Sequence, residues 1–341
     1  MDVTMKDIAE ELGVSIGTVS KVLRDHPDIS PETRERVRKR MKELNYRPNL
    51  TARALVTGRT YSIGFIVPDL VHPFFGEVGR GLSRVLHKKG YDLIISSSEE
   101  DQEMERRGID QLLARRVDAL ILASSQKDAE SLRDLEKQKT PYVLIDRRPV
   151  GLKSNFIGVD DQEIGTLATQ HLIDMGCQRI AHISGPATST ALGRRKGYER
   201  ALHQNRLSVD AKYVITRDHG DEESDRTGYE AMKNLLALER PPDGVFCYND
   251  PTAMGAMEAA LEHGIRIPQD LAVVGAGNVR YAKFLRMPLT TIDQQSENIG
   301  DRAGKLALRL IEAKSAPKLQ TILLKPHLVV RESSARRTLP Q

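Results

Sequence analysis

From Tyr61 onward, short apolar runs alternate with longer helical stretches, and this alternation narrows the folds open to the chain. Runs of four to six residues that are apolar almost throughout are typical of parallel sheets covered by helices on both faces. Eight such runs are too many for one compact sheet, so we predict an α/β core of two doubly wound, parallel-sheet subdomains. The eight runs are S-I-G-F-I-V, D-L-I-I-S, A-L-I-L-A, Y-V-L-I-D, R-I-A-H-I-S, Y-V-I-T, G-V-F-C-Y and L-A-V-V-G.

Helices are predicted between these strands, and polar or small residues follow several strand ends. The helical stretches are 75–89, 102–115, 164–175, 227–238 and 253–263. Ligands of open α/β sheets bind beyond the carboxyl ends of the strands, so the residues there are candidates for a binding site. They are Asp69, His72, Ser96 to Ser98, Ser124, Asp146, Gly185, Asn249, Asp250 and Gly277.

Residues 4–24 predict two short helices joined by a tight turn. Thr4 and Asp7 have the spacing of a capping box. Gly13 can end the first helix in the left-handed conformation, and Ser15 can cap the second. Two short helices around one glycine predict a helix-turn-helix. Apolar residues repeat at helical spacing in both segments, at Ile8 and Leu12 and then at Val19, Val22 and Leu23.

The outward face of the second predicted helix is polar. It carries three hydroxyl groups and one amine, all of which can hydrogen-bond phosphates or base edges. A small helical hairpin with an ordinary solvated face is the alternative interpretation. The residues concerned are Ser15, Thr18, Ser20 and Lys21.

A third helix is predicted to complete the N-terminal domain. Ser30 is a suitable N-cap and Pro31 a suitable first helical residue. Val37, Met41 and Leu44 then repeat at helical spacing, which would close a three-helix core over residues 1–46. Residues 47–60 are predicted to be a linker with one helical turn around 51–55, which is too short to be stable alone.

Positive charge is concentrated near the N-terminus. The whole chain has 51 basic and 47 acidic residues, whereas residues 1–60 have 12 and 9, which is a net charge of +3 out of +4. Such a bias on a helix-turn-helix suits phosphate contacts, although an exposed helix face would have the same composition. The residues concerned are Arg34, Arg36, Arg38, Lys39, Arg40 and Lys42.

Other features of the sequence narrow the class of protein. Cys177 and Cys247 form no metal motif and suggest no disulfide framework. The N-terminus lacks the apolar stretch of a signal peptide, and no run of 18 apolar residues occurs. We therefore expect a soluble, cytoplasmic protein with no membrane segment and no metal.

Six strings occur in order along the chain. They are K-D-I-A-E-E-L-G-V-S-I-G-T-V-S-K-V-L, E-L-N-Y-R-P-N, I-G-F-I-V-P-D-L-V-H-P-F-F, R-R-K-G-Y, N-D-P-T-A-M-G-A-M-E-A-A-L-E-H-G-I-R-I-P-Q-D-L-A-V-V-G and P-L-T-T-I-D-Q. Together they resemble the lactose-repressor (LacI/GalR) family of bacterial transcription regulators, over essentially the whole length of the chain.

The resemblance implies a DNA-binding headpiece, a hinge helix within residues 47–60, and a core like the periplasmic sugar-binding proteins. The N-subdomain is then expected over about 61–160 and 293–325, and the C-subdomain over about 161–291 and 326–341. Three strands would cross between them, near Asp160, Ile292 and Pro326.

The implied function is sequence-specific regulation of transcription, with repression expected. A homodimer would bind a near-palindromic operator, each recognition helix reading one major-groove half-site. A small-molecule effector, a sugar or sugar derivative, would bind between the subdomains with no cofactor, and it could act as inducer or as corepressor. Residues 332–341 contain no heptad extension, so a dimer is expected rather than a coiled-coil tetramer.

The resemblance also assigns DNA contacts. Ile16 and Gly17 match the pair that reads bases most directly, and neither can make a bidentate hydrogen bond. Leu55 matches a leucine wedged into the minor groove, although without the resemblance it would more simply pack the linker against the core. The expected DNA-binding residues are Thr4, Ser15, Ile16, Gly17, Thr18, Ser20, Lys21, Asn49 and Leu55.

Effector contacts follow in the same way. Arg194 is the strongest candidate because a guanidinium can fork two ligand oxygens, while Asp250 could instead cap a helix. Two positions depart from the family: Gly277 replaces a common acidic residue, and Glu223 stands where an aromatic residue is common. Both weaken the expectation of a simple neutral hexose. The expected effector-binding residues are Phe74, Phe75, Asp146, Arg194, Glu223, Asn249 and Gly277.

An enzyme and a free-standing sugar-binding protein are the competing interpretations. G-A-G-N-V-R at 275–280 mimics a dinucleotide fingerprint but has Arg280 in place of the third glycine. The chain has no G-x-S-x-G, and its nine histidines form no H-E-x-x-H. The headpiece argues against a free-standing binding protein. We therefore predict a regulator that is not an enzyme.

Overall fold

The computed structural model describes residues 3–23, 25–47, 54, 57–126, 132, 135, 138, 140–216, 224–315 and 317–335. The chain divides into two compact units, residues 1–60 and residues 61–341. No helix of the described ranges combines the length and the apolar character needed to span a membrane.

The first unit is a three-helix headpiece made of α1 (Met5–Leu12), α2 (Ile16–Leu23) and α3 (Pro31–Glu43). Both predicted caps of the first helix are present: Thr4 and Asp7 form the capping box, and Gly13 ends α1 with φ 64°. Leu23 is the exception to the predicted apolar face because it is 37% exposed. The buried core consists of Ile8, Ala9, Val19, Val22, Val37 and Met41.

The second unit contains two six-stranded sheets, which confirms the predicted α/β fold. The strands of the first sheet are β1 (Ser62–Val67), β2 (Asp92–Ser97), β3 (Ala119–Leu122), β4 (Tyr142–Ile145), β5 (Phe156–Val159) and β11 (Thr321–Leu324). Their order across the sheet is β11-β5-β4-β3-β1-β2, and every pair of neighbours is parallel.

The strands of the second sheet are β6 (Ile180–Ile183), β7 (Val214–Ile215), β8 (Gly244–Cys247), β9 (Ala272–Gly277), β10 (Thr290–Asp293) and β12 (His327–Val329). Their order is β12-β10-β9-β8-β6-β7. The pair of β10 with β12 is antiparallel, and the other described pairs are parallel.

Seven described α-helices cover the two sheets. They are α4 (Pro73–His87), α5 (Gln102–Ala114), α6 (Asp161–Asp174), α7 (Ser189–Gln204), α8 (Ser224–Leu236), α9 (Asp250–Glu262) and α10 (Ser296–Glu312). Five of these helices were predicted, and they start at the predicted residue or up to three residues before it. The predictions began at the apolar repeat, whereas the N-caps and first-turn prolines lie before it. His72 caps α4 with Pro73 as its first residue, and Asn249 caps α9 ahead of Pro251.

The chain passes between the two sheets three times. The first passage is at Asp160, between β5 and α6. The second is at 294–295, just beyond the predicted Ile292, which itself lies inside β10. The third is at 325–326, between β11 and β12. Each sheet is therefore completed by strands from distant parts of the chain.

Paired helices of the core touch through their backbones at glycines. A β-carbon on Gly300 of α10 would overlap the carbonyl oxygen of Val78 in α4, and one on Gly81 of α4 would overlap that of Glu297 in α10. The same reciprocal arrangement joins α6 to α7 and α8 to α9. The glycines of those two pairs are Gly165 with Gly197 and Gly228 with Gly255.

Gly300 and Gly304 provide a matched test of this contact, since they lie one turn apart on α10. We expect Gly300→Ala to lower the free energy of unfolding of the core by about 1–3 kcal/mol, because overpacking shifts the backbone. Gly304→Ala should raise it by roughly 0.5–1 kcal/mol, since its new methyl group would lie an ordinary 3.4 Å from Val85 and alanine favours helices. Calorimetric melting temperatures of the two variants check this, and equal shifts would contradict it.

Candidate functional site

Helix α2 of the headpiece presents the residues that the resemblance assigns to base reading. Ile16 is 48% exposed and Gly17 is also exposed, although an isoleucine at a helix surface normally packs inward. Thr18, Ser20 and Lys21 follow on the same helix and are half-buried. An apolar tip flanked by hydroxyl groups and one amine can contact thymine methyl groups, base edges and phosphates.

Thr4 and Ser15, the other described members of the predicted DNA-binding set, cap helices. The backbone N–H of Thr4 donates to Asp7 Oδ2 at 2.7 Å, and Thr4 Oγ1 accepts from the Asp7 N–H at 3.3 Å. Ser15 Oγ accepts from the N–H of Thr18 at 3.0 Å. Both residues therefore fix the direction of a helix start, and any DNA contact they make is additional. Asn49 and Leu55 lie outside the described residues.

The arginines of α3 are used largely within the headpiece. Arg34 pairs with Asp25 at 2.7 Å, and Arg38 pairs with the same carboxylate. Arg40 pairs with Glu11 of α1. These pairs tie α3 to the rest of the headpiece, so part of the N-terminal positive charge is used in ion pairs within the headpiece.

In the core, side chains of both subdomains meet beyond the carboxyl ends of the two sheets. They surround a cavity of about 20 Å³, which has room for about one water molecule. Five of the seven predicted effector residues are here: Phe74, Phe75, Asp146, Arg194 and Asn249. The complete lining is His72, Phe74, Phe75, Asp146, Arg147, Arg194, Tyr248, Asn249 and Gln294.

Arg194 is buried in this cluster and donates three hydrogen bonds within the second subdomain and to the passage that follows β10. Its Nε donates to Asp161 Oδ1 at 3.0 Å, and its Nη1 donates to the carbonyl oxygen of Tyr248 at 2.6 Å. Its Nη2 donates to Gln294 Oε1 at 3.0 Å, at the second passage between the sheets. Three of its five N–H groups are thus used by the protein. Arg194 therefore fixes the wall of the cleft that the second subdomain forms, in addition to any contact with a ligand.

Asp161, whose side chain is 16% exposed, is the carboxylate that faces Arg194. Burial raises the pKa of Asp161 to about 7, against the attraction of Arg194, and the nearby Asp146 raises it further. Asp146 leaves β4 with φ 59°, a left-handed conformation that non-glycine residues rarely adopt. The cluster thus concentrates charge and backbone strain where the subdomains meet.

His72 and Asn249 face each other across the cleft. Asn249 Oδ1 accepts from the N–H of Thr252 and so caps α9, which leaves its Nδ2 at 3.1 Å from His72 Nε2. Next to His72, the rings of Phe74 and Phe75 pack edge to face, with centroids 5.1 Å apart. The contact between His72 and Asn249 joins the start of α4 in one subdomain to the start of α9 in the other.

Gly277 belongs to the predicted effector set but is not among the described residues that line this cavity. A β-carbon there would be 3.3 Å from Oδ2 of the buried Asp250, so the position faces that carboxylate. Asp250 accepts from the Val279 N–H at 2.8 Å and from the Thr291 hydroxyl group, and Asn249 rather than Asp250 caps α9. Glu223 lies outside the described residues.

Four residues of the cluster are absent from the predicted effector set. His72 is among the strand-end candidates of the sequence analysis, and the other three, Arg147, Tyr248 and Gln294, are in neither set. Each of these three lies within two residues of the end of a strand, namely β4, β8 or β10. The sequence analysis selected Asp146 and Asn249 because they follow the carboxyl ends of strands. The same rule would include Arg147 and Tyr248 if the residues next to those two were also taken, and Gln294 if it were applied to β10.

A larger cavity of about 560 Å³ adjoins the first and shares Arg147 with it. The Arg147 guanidinium donates to Glu100 through both Nη atoms, at 2.6 and 2.7 Å, so this buried pair forms part of the wall. The cavity lies between loops of the first sheet and the start of α7 in the second subdomain.

A helix-turn-helix headpiece joined to a two-sheet core with a polar cleft defines a DNA-binding protein with a ligand-binding domain. The sequence profile of bacterial regulatory proteins of the lacI family matches residues 4–49, and that of the periplasmic binding protein-like domain matches 169–334. The HTH-type transcriptional repressor PurR of Mannheimia succiniciproducens is 35% identical over 333 residues, covering 97% of this chain and 98% of that protein.

Two solved structures are similar over nearly the whole chain. The Lac repressor dimer bound to operator and the anti-inducer ONPF has a TM-score of 0.85 at 27% identity, covering 98% of this chain and 100% of that one. The complex of the transcriptional regulator CelR with cellobiose has a TM-score of 0.71 at 27% identity, covering 97% and 100%. The chain belongs to the lacI family of bacterial regulatory proteins, which confirms the resemblance.

The raised pKa of Asp161 gives the core a pH dependence of defined sign. Between its ordinary pKa, near 4, and about 7, the folded state holds a proton that the unfolded chain has released. The contribution of Asp161 to the free energy of unfolding is therefore fully present below about pH 4, and it is lost as the pH rises through about 7. We expect Asp161→Asn to flatten the fall in melting temperature over this range.

Asp160→Asn is the matched control, since it removes the neighbouring exposed carboxylate, which caps α6. Melting temperatures of the wild type and both variants, measured at intervals from about pH 4 to 8, check the prediction. A wild-type slope that persists in Asp161→Asn would show that another group causes it.

Proposed function

We propose that this protein is a ligand-responsive transcriptional repressor that binds a near-palindromic operator as a homodimer. The observation that carries the proposal is the combination, in one chain, of an exposed α2 face and a cleft where polar side chains of two subdomains meet. Residues 1–46 would bind DNA, 47–60 would form the hinge, and 61–341 would bind the effector and the partner subunit.

The proposed mechanism is a two-state change of the cleft. A ligand that prefers one arrangement of the subdomains shifts the population toward it, and so changes operator affinity. The contacts that must change are those that cross the cleft, such as His72 with Asn249. Because the cavity around them is only about 20 Å³, a ligand there requires the subdomains to separate.

On DNA, we propose that Ile16 and Gly17 read base edges by apolar contact and that Thr18, Ser20 and Lys21 bind bases or phosphates. Asn49 would contact DNA from the hinge, and Leu55 would enter the minor groove and kink the duplex. The similar Lac repressor structure contains a dimer bound to operator, which supports this arrangement.

The effector is proposed to be a sugar or sugar derivative bound without any cofactor, and the protein is proposed not to be an enzyme. The cellobiose complex of CelR supports the class of ligand, and the repressor activity named for PurR supports regulation over catalysis. A regulator that binds operator DNA would act in the cytoplasm.

Exposed apolar residues mark a candidate dimer surface on the first sheet of the core. Val71, in the loop after β1, is 89% exposed, and Leu70 beside it is also exposed. Ile95 is exposed on β2, which is the edge strand of the first sheet. Adjacent apolar groups at a sheet edge are typical of protein interfaces. We propose that this surface, formed by Leu70, Val71 and Ile95, packs against the partner subunit.

Lys21→Gln tests the DNA-binding role of α2. We expect weaker operator binding and a smaller salt dependence, by about 0.9 in the slope of log K against log salt for each phosphate that the variant no longer neutralises. The matched control is Lys39→Gln, which removes an exposed lysine from α3. Fluorescence anisotropy with operator fragments selected from genomic DNA checks this. Equal slopes for the two variants would exclude a phosphate contact by Lys21.

Ile95→Asp tests the dimer surface. A buried carboxylate at an interface is strongly unfavourable, so the dimer dissociation constant should rise by at least about tenfold. Leu319→Asp, at another exposed leucine of the core, should leave it unchanged. Sedimentation velocity over a range of concentrations measures both. An unchanged dimer in Ile95→Asp would place the interface elsewhere.

A further inference from the structure

The larger cavity of the cleft, rather than the small one, has the size and chemistry of a ligand site. Its volume of about 560 Å³ falls within the usual range for small-molecule sites. It is bounded by loops that follow β2, β3 and β4 of the first sheet and by the first turns of α7. A molecule held there would therefore touch both subdomains.

Among the described residues that line this cavity, the charged groups leave an excess of positive charge. They are three cations, Arg147, Arg148 and Lys196, and one carboxylate, Glu100, which gives a net charge of +2. The carboxylate of Glu100 is already paired, because both of its oxygens accept hydrogen bonds from Arg147. Lys196 is exposed at the wall and forms no ion pair with another described residue. The cavity thus favours an anionic ligand.

The start of α7 adds to this preference. Thr188 caps this 16-residue helix, and Thr188, Ser189 and Gly193 line the cavity. The first N–H groups of a helix have no partners within it and carry the positive end of the helix dipole, so they favour a bound anion. Lys196 is on the same helix, two turns from its start, so both features act on one part of the cavity.

Gln126 supplies an independent observation that points to a ligand. It is only 5% exposed, and its Nε2 donates to the carbonyl oxygen of Gln102 at 2.8 Å. Gln126 lines the same cavity, and its Oε1 is buried and accepts no hydrogen bond from any described group. A buried acceptor without a donor is unfavourable, so a ligand that donates a hydrogen bond to Oε1 would be stabilised there.

We propose that the effector is an anionic, polyhydroxylated small molecule, with its anionic group at Lys196 and the start of α7 and a hydroxyl group donating to Gln126. Sugar phosphates and sugar acids share this chemistry. The inference rests on the proposed function, because it names the class of effector for the same cleft.

Matched neutral and anionic probes test the proposal on the full-length protein. The probes are glucose, glucose 6-phosphate, gluconate, ribose, ribose 5-phosphate and inorganic phosphate, measured by thermal shift and then by calorimetric titration. We expect at least one anionic sugar to bind about tenfold or more tightly than its neutral parent, since a charge-assisted hydrogen bond is stronger than a neutral one. Binding of a phosphate ester or of a carboxylate decides between sugar phosphates and sugar acids.

Lys196→Gln should remove most of that difference, whereas Arg200→Gln should keep it. Arg200 is exposed one turn further along α7 and does not line the cavity, so it is a matched loss of charge. The proposal is overturned if neutral parents bind as tightly, if no anionic sugar binds at concentrations up to about 10 mM, where even a very weak affinity is detected, or if Lys196→Gln binds like the wild type.

Two controls separate the hydroxyl contact, the ligand class and the proposed function. Inorganic phosphate that binds as tightly as the sugar phosphate would overturn the hydroxyl contact with Gln126. Operator binding is measured on the same preparation: a silent panel with operator binding retained overturns only the ligand class. Absence of any specific operator binding would overturn the proposed function itself.

Discussion

Backbone contact between paired helices is the constraint on which the core depends. In each of three helix pairs, a glycine of the first helix lies against a carbonyl oxygen of the second. A glycine of the second helix lies in the same way against a carbonyl oxygen of the first. Protein interiors are packed at nearly crystalline density, so an added methyl group at such a contact cannot be absorbed locally. These glycines therefore allow a close spacing of the two helices in each pair that a larger residue would not.

The same helices begin at the cleft, which is why their spacing matters for function. Helix α4 starts beside His72, and α9 starts beside Asn249. Helix α7 carries Arg194, whose carbonyl oxygen is the atom that a β-carbon on Gly165 of α6 would overlap. The 3.0 Å pair between the Arg194 side chain and Asp161 of α6 is thus set by the backbone contact of α6 with α7. A change in that contact would reach the cleft directly.

Features that depend on neighbouring residues can be predicted well from the sequence. Features that depend on residues far along the chain cannot. The capping box at Thr4 and the left-handed Gly13 depend on neighbouring residues, and both are present as predicted. Strands β11 and β12 are half-exposed edge strands, so they lack the continuous apolar character that reveals the central strands. The partners of Arg194 include Gln294, from 100 residues further along the chain. Gly277 was assigned as a strand-end residue and by the resemblance, and only the fold shows that it faces a buried carboxylate.

The three passages between the sheets have a consequence for how such a protein can be recombined. The second subdomain is made of two separate pieces of chain, 161–293 and 327–335. A single genetic crossover near Asp160 therefore cannot exchange that subdomain cleanly with one from a relative, because it also replaces residues 294–326, which contain strand β11 of the first sheet. If only residues 161–293 were exchanged, strand β10 would come from the relative and strand β12 from this protein. The pair of Ile292 with Leu328 would then join residues from two different proteins. A chimaera therefore keeps the native pairing only if β12 comes from the same parent as β10. Exchanging the ligand-binding subdomain as a whole needs three junctions rather than one.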